Sequence, residues 1–392
     1  MTTLSPKTER RTAIAIAFMI ALRMYGLFLI LPVFSVYARD ITGSTPFLVG
    51  MAIGIYGLTQ AFLQIPMGFL SDIWGRKKVI ALGLVLFLAG SVIAALASDV
   101  YTIIIGRAVQ GMGAIAATGL ALIADVSRPE QRSKMMAIVG VSIGLSFMLA
   151  FITGPMLARL YGLSGLFWVT AVLAALAILV LFVFITEPEK RIDRDYRFIE
   201  VVRSLRNKQL LLLDLGVFAI HASMSALFLV LPVILVNNFD WPVINHWHLY
   251  LPVMVASLFI MIPLIFWQEK QKNHIRLMLV SFLLLGINFL LLHMGMQQWL
   301  VIVVSLIVYF GLFNYLEASM PALLSKVATE QYRGAAMGAY STSQFLGAFT
   351  GGAVGGYLMS LALGAVLWAL FGLLIFIALV GILIFGHQKS IT

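Results

Sequence analysis

Twelve apolar stretches follow one another through the sequence, each of about the length that a helix needs to cross the hydrocarbon core of a bilayer. They run approximately over 12–36, 47–71, 79–98, 101–124, 135–158, 164–186, 210–236, 247–268, 275–296, 298–324, 334–357 and 363–386. In lipid every backbone N–H and C=O needs a partner within the chain, so stretches of this kind are restricted to helices or closed barrels. Their length selects helices, and the expected fold class is an all-α membrane protein. Composition leaves no soluble option. Of 392 residues 61% are hydrophobic and 11% charged, whereas soluble domains carry roughly a quarter charged residues. The first stretch is long and lacks a small-residue cleavage site, so it reads as a retained helix rather than a signal peptide.

Lys and Arg sit between these stretches rather than on one face, so the net charge of +10 does not point to nucleic acid. The N-terminus, alternate loops and the C-terminus carry 22 of the 26 basic residues, all but Arg23, Arg39, Arg107 and Arg159. Cytoplasmic loops retain positive charge during insertion. The expectation is therefore a bacterial inner-membrane protein, multi-pass, with both termini cytoplasmic. No cysteine is present, which closes disulfide, thiolate and Cys-ligated metal chemistry.

The one long polar stretch, Glu187 to Gln209, divides the chain into residues 1–186, a linker 187–209 and residues 210–392. Within it Phe198, Val202 and Leu205 alternate with Arg203, Arg206 and Lys208, a pattern that fits either an amphipathic helix on the inner leaflet or a solvated basic tether. The halves repeat one another. Met24-Tyr-Gly-Leu-Phe-Leu-Ile-Leu-Pro32-Val33 answers Met224-Ser-Ala-Leu-Phe-Leu-Val-Leu-Pro232-Val233, Pro66 and Asp72 answer Pro263 and Glu269, and Arg132 answers Arg333. Six spans in each half give the halves the same orientation, a relation that suits alternating access.

After span two the sequence reads Gly68-Phe-Leu-Ser-Asp72-Ile-Trp-Gly75-Arg76-Lys77-Lys78. Span four contains Arg107-Ala-Val-Gln110-Gly111-Met-Gly113, and span five ends in Gly154-Pro155-Met-Leu-Ala158. The first resembles the signature loop of the major facilitator superfamily, the second the arginine motif of its proton-coupled members, and the third the antiporter motif of drug:proton exporters. Ala150 and Ala158 stand where glycines are usual in that third motif. Over essentially the whole chain the resemblance is to the YajR-like branch of the drug:proton antiporters. It implies two pseudo-symmetric six-helix bundles and a monomeric multidrug efflux transporter that works with protons and a small-molecule substrate in the bilayer. Members of that branch typically carry a further cytoplasmic domain after span twelve, and this chain stops at Gly386-His387-Gln-Lys-Ser-Ile-Thr392, which reads as a member lacking it. The resemblance implies a gate: Gly68 for close helix approach, Asp72 toward the start of span eleven, Gly75 in the turn, Arg76 paired with Asp125, and Glu269 as the weaker counterpart in the second half.

Charges at depth are costly, so each is a functional expectation. Arg23 lies 11 residues into span one, about 16 Å deep at 1.5 Å per residue, and Arg107 lies nearer the outer side. No acid accompanies them at depth; their partners are carbonyls, Gln60, Gln64, Gln110, water or an anionic part of a substrate. Arg107 is either a brace or a coupling residue. In the second half His221 and Glu317 lie at depths of about 16 and 12 Å and are expected to face each other and carry the coupling proton; His221 also reads as a neutral interior histidine. Asp214 lies too near the interface for the same role. Tyr25, Tyr56, Asn288, Asn314 and Tyr315 are expected to offer cavity hydrogen bonds. Glycines at four-residue spacing, Gly140 and Gly144, then Gly347, Gly351 and Gly355, suit either a sliding interface or packing within one half.

His246 and His248 lack a third ligand for a metal, and no cofactor is expected. Without a G-x-x-x-x-G-K-[ST], H-E-x-x-H or G-x-S-x-G segment, neither an ATP motor nor a hydrolase is expected. The functional expectation is a proton-coupled secondary transporter that exports small amphiphilic molecules. Uptake by proton symport and a membrane-embedded enzyme are the alternatives.

Overall fold

A computed structural model describes residues 6–186, 207–271, 274–328, 333–361 and 363–385. Among them ten helices are long and apolar enough to cross a membrane. Two further crossings follow from the backbone. Pro129–Phe184 has 56 residues, about 84 Å at 1.5 Å per residue, far more than one bilayer. It turns at Gly162 (φ 65°, ψ −171°), so it supplies spans five and six. Arg333–Leu361 has 29 residues but is rich in Gly, Ala, Ser and Thr, and its apolarity is diluted accordingly; it is span eleven. The protein is thus all-helical with twelve transmembrane helices.

The others are Pro6–Phe28, Pro46–Trp74, Arg76–Ala95, Lys208–Phe239, Trp247–Gln271, His274–Met294, Trp299–Val327 and Leu363–Phe385, as spans one to three, seven to ten and twelve. Span four is discontinuous, Val100–Met112 then Ala116–Val126, with Gly113 and Ala114 making short-range turn hydrogen bonds between the pieces. Asp99 caps its start, accepting from the Thr102 N–H (2.9 Å) and hydroxyl (2.8 Å). Those donors hold its carboxyl below the usual carboxylate range. The molecule divides into two compact units, Met1–Asp195 and Tyr196–Thr392. The expected linker helix and Glu330-Gln331 lie outside the described residues.

Each unit inverts the soluble pattern at its surface. Phe62, Phe259, Phe266 and Leu383 are all more than two-thirds exposed, a disposition that lipid, not water, accommodates. Inside, small residues set the helix separations. In the C-terminal unit span eleven packs on span seven, and a Cβ at Gly347 or Gly351 would overlap the carbonyl oxygens of Phe218 or Ala222. Gly355 meets Ala226 in the same way. These glycines therefore serve packing within one half. Gly140 and Gly144, by contrast, have nothing within 4 Å.

The duplicated segment does not fold alike in its two copies. Span one was expected to continue to residue 36, but its helix ends at Phe28, and Leu29 to Val33 form turns before the short helix Phe34–Tyr37. Span seven runs through Pro232 to Phe239 without a break. The difference has a tertiary cause. Gly154 on span five sits against the Leu29 carbonyl and the Pro32 ring, where a Cβ would come within 2.7 and 3.2 Å, so the antiporter-like Gly154-Pro155 step makes room for the opened turn.

Candidate functional site

In the N-terminal unit the signature loop forms an ion-pair cluster. Gly75 terminates span two at φ 110°, ψ 142°, a region that only glycine adopts without strain. The next residue, Arg76, folds back: its Nε lies 3.0 Å from Asp125 Oδ2, its guanidinium pairs with Asp72 one turn earlier, and it donates to Ser71 Oγ. Arg76 and Asp125 are nearly inaccessible. Asp72 is thus engaged by its own unit. Gly68, expected to admit a close neighbour, has no atom within 4 Å of where a Cβ would be; its carbonyl instead accepts the Ser71 hydroxyl at 2.6 Å. Lys77 donates to the Ile185 carbonyl at the end of span six (2.8 Å). Glu269 is exposed at the end of span eight.

Deeper, Tyr56, Gln60 and Gln64 recur every four residues on span two and form one stripe. Arg23 NH2 donates to Tyr56 Oη (2.9 Å), Gln60 Oε1 (3.1 Å) and the Gly113 carbonyl (2.8 Å). That carbonyl is available because span four breaks there. The end of a helix carries partial negative charge, which partly compensates the guanidinium. Gly111 lets span four approach span two, since a Cβ there would overlap the Tyr56 carbonyl and Thr59. Arg107 donates to the Ala52 carbonyl (3.2 Å) and Gln110 Oε1 (2.8 Å), and its guanidinium carbon lies 4.9 Å from the Tyr56 ring centroid. Gln110 in turn donates to Ser91. Both arginines are buried. Tyr25 bonds Thr153 Oγ1 at 2.7 Å.

In the C-terminal unit His221 on span seven, Glu317 on span ten and Gln344 on span eleven converge. Gln344 Nε2 donates to Glu317 Oε1 (3.2 Å) and to His221 Nε2 (2.8 Å), and His221 Nδ1 faces the Val217 carbonyl at 3.1 Å. With Gln344 donating, His221 accepts at Nε2 and carries its proton on Nδ1, the neutral tautomer. The histidine Nε2 lies 3.8 Å from Glu317 Oε2, an atom with no hydrogen-bond partner among the described residues.

Two expectations need correction. Asp214, set aside as interfacial, is buried with Oδ1 unpartnered, because six residues of span seven precede it and Tyr340 of span eleven lies within electrostatic range. Asn288 and Tyr315 are not open cavity groups: they bond the Ser305 carbonyl (3.0 Å) and Gln268 (2.5 Å) inside the unit. Asn314 is half-buried. His246 and His248 turn to the carbonyls of Trp241 and Asn245.

Gln344 escaped the sequence reading because an uncharged amide on a Gly- and Ser-rich helix gives no hydropathy signal. The stripe Tyr340, Gln344, Gly347, Gly351 has helical spacing and was the available cue.

Two buried clusters on twelve membrane-spanning helices match a known family: the Major Facilitator Superfamily model matches residues 16–352. The chain belongs to the major facilitator superfamily. It is similar to the inner membrane transport protein YajR of Escherichia coli (strain K12), with 39% identity over 342 residues, 86% of this chain and 75% of that protein. Multidrug resistance protein MdtH of Yersinia pestis (strain Pestoides F) is 24% identical over 328 residues, 80% of this chain and 78% of that protein. In fold it resembles a bacterial homologue of the human lysosomal transporter Spinster, captured inward-facing and occupied, with a TM-score of 0.78, 14% identity, and coverage of 99% of this chain and 100% of that one. The chain is therefore a membrane transporter and not an enzyme.

Proposed function

We propose that the chain is a proton-coupled exporter of small amphiphilic molecules, working by alternating access in a bacterial inner membrane with both termini cytoplasmic. The observation that carries this reading is the Glu317–Gln344–His221 cluster. A carboxylate held at depth is costly when charged. Protonation of either member changes the hydrogen-bond requirements of all three. When His221 takes a proton at Nε2 it becomes a donor there, Gln344 can no longer donate to it, and the new N–H points toward Glu317 Oε2, 3.8 Å away. Closing that gap and turning the amide gives the loaded and unloaded states different geometry on spans seven, ten and eleven. Export is supported by the Gly154-Pro155 step and by the printed name of the Yersinia relative.

Glu317→Gln tests the coupling. Reconstituted in proteoliposomes, it is expected to lose pH-gradient-driven transport while keeping substrate binding, whereas His221→Gln shifts the pH dependence more than the maximum rate. Undiminished accumulation by Glu317→Gln under a pH gradient refutes the role. Accumulation in the direction of proton entry, rather than against it, refutes export and favours symport.

A further inference from the structure

The two deep arginines of the N-terminal unit stand without a counter-ion. Among its described residues the acids are Glu9, Asp40, Asp72, Asp99, Asp125 and Glu130. Glu9 pairs with Arg128, Asp72 and Asp125 pair with Arg76, Asp99 caps a helix, and Asp40 and Glu130 are exposed. None reaches Arg23 or Arg107. Beside them, buried N–H groups are left over: Arg23 Nε, Gln60 Nε2 and Gln64 Nε2 have no acceptor, and Gln64 Oε1 is unpartnered too. Arg23 is 2% exposed, Gln60 0% and Gln64 1%, so bulk water does not satisfy them. An orphaned buried donor costs about 1–3 kcal/mol, more when charged. The arrangement combines excess positive charge with surplus donors on three side chains, two of them on one helical stripe.

We propose that this cluster binds the carboxylate of an organic anion, and that the transported substrate class is anionic. A carboxylate is planar and offers two acceptor oxygens, which suits a guanidinium flanked by amides; a neutral ligand or a water molecule leaves the two charges uncompensated. This inference rests on the transport reading for its functional meaning, but its test needs no gradient.

The test uses the purified full chain in detergent, in chloride-free Tris–sulfate buffer near neutral pH, with melting followed by tryptophan fluorescence. The probes are naphthoate, the neutral naphthamide, the cationic naphthylmethylamine, and sodium chloride. Naphthoate is expected to raise the melting temperature, and the other two aromatics not to. Arg23→Gln and Gln64→Leu are each expected to weaken the naphthoate response about tenfold or more. Without ligand, Gln64→Leu melts at or above the unmodified protein, because it removes two orphaned polar atoms; this separates loss of binding from loss of fold. Equal stabilisation by naphthamide, or an undiminished naphthoate response in both variants, overturns the site. If chloride alone gives the whole shift and naphthoate adds nothing, the organic class is wrong. Failure here leaves proton coupling at Glu317 standing, and failure there leaves the anion site standing.

Discussion

Replacing Gly347 by alanine places a methyl group where span eleven runs against span seven. The added Cβ would lie 2.8 Å from Phe218 Cα and overlap its carbonyl oxygen, whereas ordinary contact begins at 3.4 Å. The helices must part by about 0.6 Å, the difference between these distances. Gln344 sits one turn earlier on the same helix, with Nε2 2.8 Å from His221 Nε2. The same displacement stretches that contact to about 3.4 Å, outside the range of a good hydrogen bond. Overpacking costs about 1–3 kcal/mol, and the better helix propensity of alanine returns up to about 1 kcal/mol. Net destabilisation of about 1–2 kcal/mol is expected, read as reversible unfolding in mixed micelles, together with a shifted pH profile of transport. Gly140→Ala is the control: with nothing within 4 Å, it is expected to be neutral or stabilising by up to about 1 kcal/mol. Equal stabilities and equal pH profiles for the two variants would refute the reasoning that Gly347 sets the His221–Gln344 distance.

Asp125→Asn removes the buried partner of Arg76 and is expected to cost about 3 kcal/mol in the same unfolding assay, with little dependence on salt because the pair is inaccessible; a variant that unfolds like the unmodified protein rules out that role. Gly75→Ala forces a side chain into the φ 110° turn and is expected to cost about 1–3 kcal/mol; wild-type stability would show that the turn relaxes freely.

How far the sequence revealed this protein depended on whether a residue announced itself by charge or by hydropathy. Arg23, Arg107, His221 and Glu317 stood out because ionisable groups are rare in apolar stretches, and the structure places each at a buried or half-buried junction of helices. Gln344 and the orphaned Gln64 amide carry no such signal. Their importance comes from what spans seven, ten and one place beside them. The Pro32 and Pro232 segments are nearly identical in sequence yet differ in backbone, since the room that Gly154 provides is a tertiary fact. Asp214 was misjudged because residue count along a helix measures depth, while burial depends on neighbours such as Tyr340.

The uncompensated guanidiniums have an electrical consequence. A charge carried across the membrane potential is worth about 2.3 kcal/mol per 100 mV, so any step that shifts the first bundle along the bilayer normal moves Arg23 and Arg107 through that field. The empty carrier then returns with two fixed positive charges, and a carrier loaded with a monovalent anion moves with one. Voltage would thereby act more strongly on the unloaded half of the cycle than on the loaded half.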